Sequence, residues 1–332
     1  MENQVATAWA PASLSNLGPG FDALGAAIDG LGDQVSVERT SGRGMEVTFD
    51  TSGVWSGPTD AERNTAAVAA AHVADSLQYD GGLRITIKKG LAAGTGLGSS
   101  AASAVAGAVA TEHLLGGKLS LDEMTAAVVA GESATSGHGH ADNVLPSLLG
   151  GFVLMRSSHP VDHLRIEGWN DLSLMVGLPE AEVLTREARA ALPGVIPLTQ
   201  AVDHAARLAL MMAALHTRDV NALGRWMMSD DVVIPARQHL WPYLESVVQA
   251  ALEAGASGCT ISGSGPAIVA CFRNRGHAQQ ESIRSAMQAR LNDAGLSALV
   301  SVHHIANHGA LILDGDRAIS WRSGVSVPAP TH

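Results

Sequence analysis

Basic residues are scarce in this chain. Its 332 residues hold 21 Lys and Arg against 32 Asp and Glu, a formal charge of −11. A surface that acidic repels polyanions, so nucleic acid and anionic membranes are poor candidate partners. A small phosphorylated ligand is not excluded, because a pocket can be locally positive or lined with backbone N–H groups. Cysteine is nearly absent. Cys259 and Cys271 form no C-x-x-C pair, which leaves neither a zinc site nor a disulfide framework; both read as buried thiols beside a strand. Aromatic residues make up 4% and charged residues 16%, and Ala with 36 Gly fill the gap. No stretch of 18 apolar residues runs without polar interruption, so no membrane span is expected. Met1–Trp9 lacks the basic and long apolar regions of a signal peptide, and a cytoplasmic location is expected. What is there is an ordinary globular composition, 46% apolar, in a chain long enough for two domains.

Strand and helix patterns alternate along the chain. Val5–Ala10 reads as a short strand ended by Pro11. Residues 11–22, PASLSNLGPGFD, read as a shaped loop, since two prolines and two glycines oppose regular structure. Gln34–Arg39, Met45–Phe49 and Leu83–Ile87 have strand patterns. Asn64–Leu77 has helical spacing, with Thr59 and Asp60 as candidate caps upstream. A helix of small residues begins near Ser99, and its Ala and Gly content predicts very close packing. Leu121–Ser133 reads as a helix and Phe152–Met155 as a strand. Residues 157–171 are polar and irregular, which places a domain boundary there: 1–160, then 161–322, then a loose Pro- and Ser-rich tail over 323–332. In the second half a strand over Leu172–Leu178 precedes helices. Strand-like runs then flank the glycine turn SGSGP, another helix follows, and Leu299–His303 and Ala310–Leu313 close that domain. The mixture predicts two α+β domains with a cleft between them.

The chemistry-bearing segment is GLAAGTGLGSS, residues 90–100: Gly90, Leu91, Ala92, Ala93, Gly94, Thr95, Gly96, Leu97, Gly98, Ser99 and Ser100. It lies between a strand and a helix. Its glycines let several N–H groups turn inward, and the helix adds its positive end, so the segment reads as an anion cradle suited to a triphosphate. It is not a Walker A loop, because a Ser follows Gly98 where that motif has Lys, and its glycines are too tightly spaced for the dinucleotide fingerprint. The plain alternative is a glycine turn before an alanine-rich packing helix.

Glu132 sits near the end of a predicted helix, as a solvated carboxylate or as a Mg²⁺ ligand. With the Ser100 hydroxyl it would suffice, since Mg²⁺ at phosphoryl-transfer sites takes one or two protein oxygens. His138, His140 and Asp142 invite a metal reading, but no further ligand cluster accompanies them. His140, Asp142 and Asn143 fit a polar pocket better. Asn143 suits orientation of a hydroxyl; Asp142 suits either catalysis or a helix cap.

These segments, in this order, resemble the GHMP kinase superfamily and, within it, the homoserine kinase family. The resemblance is carried by PASLSNLGPGFDALG (11–25), GTGLGSSAASAVA (94–106), Glu132, HADNVLPSLLGGF (140–152) and SGSGPAIVACF (262–272), and so spans nearly the whole chain. The phosphate loop alone indicates the superfamily; NLGPGFD together with HADN is more specific. The resemblance implies an N-terminal α+β domain with a left-handed β-α-β crossover, a ferredoxin-like C-terminal domain and a homodimer. It also implies ATP and Mg²⁺ as cofactors and L-homoserine as substrate, with O-phospho-L-homoserine made for threonine biosynthesis. By it Asn16, Asp22, His140, Asp142 and Asn143 correspond to the substrate pocket, and Thr185, Arg189 and Arg237 to further substrate contacts. The two arginines have independent support: an α-carboxylate favours a planar bidentate donor, and this chain has few cations to offer. One departure is Ala92, where the family often has a proline.

The implied mechanism has backbone N–H groups of residues 94–100 hold the phosphates, Ser100 and Glu132 hold Mg²⁺, and Arg189, Arg237 and Asp22 clamp the amino acid. Asn143 with Asn16 aims the hydroxyl; the resemblance implies no clear base, so that deprotonation is late and goes to the phosphate itself, with Asp142 the candidate if a side-chain base exists. Competing expectations are a relative acting on threonine or a sugar, and a non-catalytic metabolite sensor. A sugar would leave Asp22 and both arginines idle.

Overall fold

The computed structural model describes residues 5–53, 55–136, 139 and 141–330. The first half of the chain supplies β1 (Val5–Asn16), β2 (Gly20–Thr40), β3 (Met45–Phe49), α1 (Thr65–Ser76) and β4 (Gly82–Lys88). There follow α2 (Ser99–Leu115), α3 (Leu121–Ser136), α4 (Ala141–Leu149), β5 (Phe152–Ser158) and β6 (Val161–Ile166). These strands build a sheet in the order β3-β4-β2-β1, with β5 paired to β2 and β6 to β5. β3 and β4 are parallel neighbours joined through α1; the other pairs are antiparallel.

The second half opens with β7 (Leu172–Pro179). Five helices follow: α5 (Thr185–Ala190), α6 (Leu198–Thr217), α7 (Val220–Met227), α8 (Val233–Arg237) and α9 (Leu244–Glu253). Then come β8 (Gly258–Ile261), β9 (Ile268–Arg273), α10 (His277–Asp293) and β10 (Ala298–His303). The four strands form an antiparallel sheet ordered β10-β7-β9-β8. Helix lies between β7 and β8 and between β9 and β10, so the unit is the β-α-β-β-α-β, ferredoxin-like arrangement. The last strands, β11 (Leu311–Asp314), β12 (Arg317–Ser320) and β13 (Ser326–Pro328), return to the first sheet through β11 against β1, for a total of nine strands there.

Five expectations are corrected by this arrangement. Residues 11–22 are mostly strand: β1 runs to Asn16 and β2 starts at Gly20. Pro11 is tolerated because the β1–β2 register shifts between Pro11 and Ala12, at the kind of irregularity where a missing N–H costs no ladder bond. Residues 161–166, expected to open the second domain, pair as β6 with β5 in the first sheet. The strand at 311–314, expected to close the second domain, and residues 326–328 of the expected loose tail likewise join the first sheet, the latter as β13 against β12. The cap of α1 is Asn64, whose Oδ1 accepts from Ala67 N at 3.2 Å; Asp60 caps a preceding single 3₁₀ turn.

The core of the larger sheet is built from small residues. α1, α2 and α3 pack so closely that a Cβ on Gly107 of α2 would lie 2.7 Å from Ala66 O, and one on Gly131 of α3 2.6 Å from Thr65 O. This explains how a chain so poor in aromatics fills its interior. A second cluster joins the two sheets. It contains Leu14, Leu91 and Leu97 from the first half with Met211, Leu223 and Val269 from the second. The phosphate-loop leucines are thus buried in the seam between the sheets. Both cysteines are buried and unbridged, as expected, and burial pushes the Cys271 thiol up to about 12.

Candidate active site

A cavity of about 740 Å³ opens along that seam, lined from both halves of the chain. One end is made by residues 93–96 and 98–100; of the expected nucleotide-binding residues, Gly90, Leu91, Ala92 and Leu97 do not line it, and the two leucines are buried in the seam instead. Gly94, Gly96 and Gly98 take left-handed backbone conformations, with φ of 72°, 78° and 63°. Single left-handed residues alternating along a loop make the concave row of N–H groups that binds anions. Gly98 precedes α2, whose 17 residues present a free N-terminus to the cavity with no side-chain cap.

Long-range bonds hold this loop in shape. Leu97 O accepts from Ser13 N (3.1 Å) in β1. Thr95 O accepts from Ala267 N (3.1 Å), and Gly96 O accepts from Ser262 Oγ (2.7 Å) beyond β8. A Cβ on Gly96 would sit 2.6 Å from Ser262 O, and one on Gly98 would strike Ser13 Oγ. The SGSGP turn is therefore the other half of the cradle, packed against it backbone to backbone.

Ser100 and Glu132 line the same cavity from α2 and α3. Glu132 is buried, 5% exposed, which corrects the solvated alternative. The Ser100 hydroxyl makes no hydrogen bond among the described residues, whereas Ser99 Oγ is committed to Leu91 O at 3.1 Å. A hydroxyl and a buried carboxylate on neighbouring helices are hard oxygen donors of the type Mg²⁺ takes.

The other end is made by charged side chains. Asp22 and Arg189 form a two-pronged ion pair, with Arg189 Nη1 and Nη2 donating to the carboxylate at 3.0 and 2.9 Å. Arg237 is 2% exposed, and its Nε donates to Ala188 O at 2.7 Å. Both guanidinium groups lie over the Phe21 ring, at 5.6 and 5.1 Å from its centroid. Burial, and next the charge of Arg189, push the Arg237 pKa down to about 10. Arg189 is paired with Asp22, while Arg237 makes no direct ion pair among the described residues and feels the Asp22 and Asp230 charges at longer range. Asp22 holds φ of +54° and Asn16 φ of +68°, left-handed values uncommon outside glycine. Asn16 bridges the strain: its Oδ1 accepts from Asp22 N (3.1 Å) and its Nδ2 donates to Gly263 O (3.0 Å). Thr185, the first residue of α5, lines the cavity beside them.

Between the two ends lies Asn143 in α4. Ser13 Oγ donates to its Oδ1 at 3.0 Å and its Nδ2 donates to Ser15 Oγ at 3.2 Å, which fixes the amide orientation. Asp142 is 3% exposed and its Oδ1 lies 3.5 Å from Asn143 Nδ2. Asp142 falls inside the first turn of α4 and lines the cavity. His138 and His140 lie outside the described residues.

Of the expected site residues, the structure brings Asn16, Asp22, Asp142, Asn143, Thr185, Arg189, Arg237, Ser100 and Glu132 to one cavity with the glycine loop. Sequence reading missed Ser13, Ser15 and Ser262, which hold the loop and Asn143, and Lys89 with Asp33 beneath the loop. Lys89 carried a signal, a charged residue directly before the glycines; the serines carried none, because their partners are distant in sequence.

An anion-binding glycine loop facing a charged clamp, across a ferredoxin-like unit and a larger mixed sheet, defines a phosphotransferase of the GHMP class. Comparison with known proteins agrees. Residues 64–151 match the GHMP kinases N terminal domain and residues 211–293 the GHMP kinases C terminal family. Homoserine kinase of Pyrococcus abyssi is 38% identical over 292 residues, 87% of this chain and 94% of that protein. Homoserine kinase of Arabidopsis thaliana is 40% identical over 312 residues, 92% of this chain and 84% of that protein. The crystal structure of homoserine kinase from Cytophaga hutchinsonii superposes with a TM-score of 0.86 at 36% identity, covering 94% of this chain and 98% of that one. L. major mevalonate kinase shares the fold, with a TM-score of 0.67 at 19% identity over 91% of this chain and 95% of that one. The chain belongs to the GHMP kinases and, within them, to the homoserine kinase family.

Proposed function

We propose that the protein transfers the γ-phosphoryl group of ATP to the side-chain hydroxyl of L-homoserine, giving O-phospho-L-homoserine and ADP for threonine biosynthesis. One observation carries this: a single cavity holds an anion cradle at one end and, at the other, a clamp for one positive and one negative charge. A zwitterionic amino acid matches that clamp. Its α-carboxylate pairs with Arg237 and Arg189, and its ammonium takes over Asp22. The Asp22–Arg189 pair is exchanged in the process, so neither charge is left unpaired. Neither mevalonate nor a neutral sugar brings an ammonium to Asp22.

The triphosphate lies against the backbone N–H groups of residues 94–100 and the start of α2. Ser100 and Glu132 hold Mg²⁺, which supplies charge neutralisation at the β- and γ-phosphates. Asn143, locked by Ser13 and Ser15, orients the hydroxyl toward the cradle. Asn16 acts by holding Asp22 and Gly263 in register, since both ends of its amide are already bonded. Asp142, beside Asn143, is the carboxylate placed to receive the proton. Thr185 closes the clamp at the start of α5.

A homodimer fits the exposed stripe of α6, where Leu198 and Val202 are 79% and 62% exposed at helical spacing. No described helix is long and apolar enough to cross a membrane. A cytoplasmic site of action is supported by the requirement for ATP and by two unbridged cysteines.

The test is ATP-dependent ADP release with L-homoserine, beside L-threonine, L-serine and mevalonate. Preference for homoserine, lost in Arg237→Ala while ADP binding is kept, is the expected result. Equal turnover of mevalonate would overturn the assignment.

A further inference from the structure

Beneath the phosphate loop lies a charged pair that takes no part in the roles above. Asp33, in β2, is fully buried, and Lys89, directly after β4, is 9% exposed. The two form a salt bridge. Lys89 Nζ also donates to Ser99 O (3.1 Å), Ser99 Oγ (2.6 Å) and Ser103 Oγ (3.1 Å). Ser103 Oγ donates to Asp33 Oδ2 at 2.6 Å. The other carboxylate oxygen, Asp33 Oδ1, accepts from Gly90 N at 3.0 Å, and Ser99 Oγ donates onward to Leu91 O at 3.1 Å.

An ammonium has three N–H donors. Four acceptors already surround this one, so none is left for a phosphate, and its charge is matched by Asp33. Lys89 is therefore no counterpart of the P-loop lysine, although it stands just before the glycines. Its bonds point elsewhere. Gly90 and Leu91 are the entry to the loop, and Ser99 is its exit and the first residue of α2. All three are fastened to one ion pair. The entry carries Ala92, with no proline to stiffen it, so the fastening acts where the backbone is otherwise free to bend.

We propose that the Asp33–Lys89 pair, whose lysine lies at the cavity wall with its ammonium donors already engaged, is a positioning device that holds residues 90–99 in their anion-binding shape and so sets the affinity for ATP. The proposal rests on the triphosphate seat assigned above. The rival account is a buried ion pair that serves stability alone. The two separate experimentally, because removing one partner of a buried pair destabilises a fold strongly while removing both is often close to neutral.

The measurement is calorimetric binding of MgADP, with thermal unfolding and the KM for L-homoserine, on the full-length chain. Asp33→Asn and Lys89→Met are made singly and together. Each single variant melts lower than the wild type. The double variant recovers most of the melting temperature but binds MgADP about tenfold to a hundredfold more weakly, as expected when a seat is displaced by about an ångström. Its KM for homoserine stays within about twofold of wild type, since the clamp makes no contact with the pair. Recovery of both melting temperature and ADP affinity would overturn the proposal. Ser99→Ala decides the matter if the double variant does not fold. It leaves the Asp33–Lys89 ion pair intact, cuts the hydroxyl's bonds to Lys89 and Leu91, and weakens ADP about fivefold to tenfold, the worth of one or two hydrogen bonds. Unchanged ADP affinity in Ser99→Ala would also sink the proposal. A wild type that binds no MgADP would remove the nucleotide seat itself, a different failure from a wild type that binds and a double variant that binds equally well.

Discussion

The two ends of the cavity recognise charge by opposite means. The phosphate end is backbone: left-handed glycines, a helix terminus, and main-chain bonds from β1 and from the turn after β8. The amino-acid end is side chain: Asp22, Arg189 and Arg237 around Phe21. Backbone N–H groups survive any point substitution except one to proline, but their arrangement is broken by any Cβ that does not fit. Side-chain charges are the reverse, easily removed one at a time in a frame that stays standing. Nucleotide binding should therefore fail through shape and amino-acid binding through charge.

The largest expected effect is at the charged end. Arg237→Ala removes a 2%-exposed guanidinium to which the proposed function assigns the substrate carboxylate. Truncating one partner of a buried charged contact costs about 2–5 kcal/mol. The value of kcat/KM for L-homoserine should fall about a hundredfold or more, with ADP affinity unchanged by calorimetry. Gly96→Ala is the reciprocal change. Its Cβ would lie 2.6 Å from Ser262 O at a φ of +78°, and the obstacle is backbone on both sides. Strain of that type costs about 1–3 kcal/mol. ADP affinity should fall about tenfold to a hundredfold while KM for homoserine holds. If each variant weakened both ligands equally, the two ends would be one coupled unit and the contrast between them would be lost.

A smaller, signed effect comes from Asp22→Asn. The carboxylate both pairs with Arg189 and is assigned to the substrate ammonium. Its removal should lower kcat/KM for homoserine about tenfold. The same change releases Arg189, so 4-hydroxybutyrate, which has the carboxylate and hydroxyl but no ammonium, should inhibit better, by up to about fivefold. Opposite signs for the two ligands in competition assays mark a zwitterion clamp; equal losses would mean that Asp22 serves only to shape the loop.

The contrast between the ends also explains what sequence could show. The glycine loop was legible because its chemistry is local: three glycines at fixed spacing and a helix start lie within eleven residues. Most helices and most strands followed from periodicity, but α4, α5 and α8 did not. The clamp was not legible from spacing, since Asp22 and Arg189 are 167 positions apart; family resemblance supplied it. Residues 11–22 misled because proline and glycine usually mark loops, whereas here Pro11 sits at a register shift between two long strands. The boundary placed at 160 and the loose tail failed for one reason. Composition reports local polarity, while β6, β11 and β13 owe their place to partners in the first sheet. Lys89 and Asp33 were invisible as a pair for the same cause.

The smallest effect is in pH. Arg237 titrates at about 10 because burial and then the charge of Arg189 disfavour its protonated form. A cation with a lowered pKa keeps its charge below that value and loses it as pH rises through it, so carboxylate binding weakens on the alkaline side. L-homoserine is a poor probe there, because its own ammonium loses a proton in the same range. 4-Hydroxybutyrate carries no group that titrates near pH 10, and in Asp22→Asn it binds without competition from the ion pair. Its inhibition constant should rise as the pH climbs toward 10, and sooner in Asp22→Asn than in the wild type, because the Asp22 charge raises the Arg237 pKa and its removal lets that pKa fall further. ADP binding, held by backbone groups that do not titrate, should stay level over the same rise in pH. A parallel alkaline loss of ADP affinity would show that a titrating side chain, and not the backbone cradle alone, carries the phosphate end.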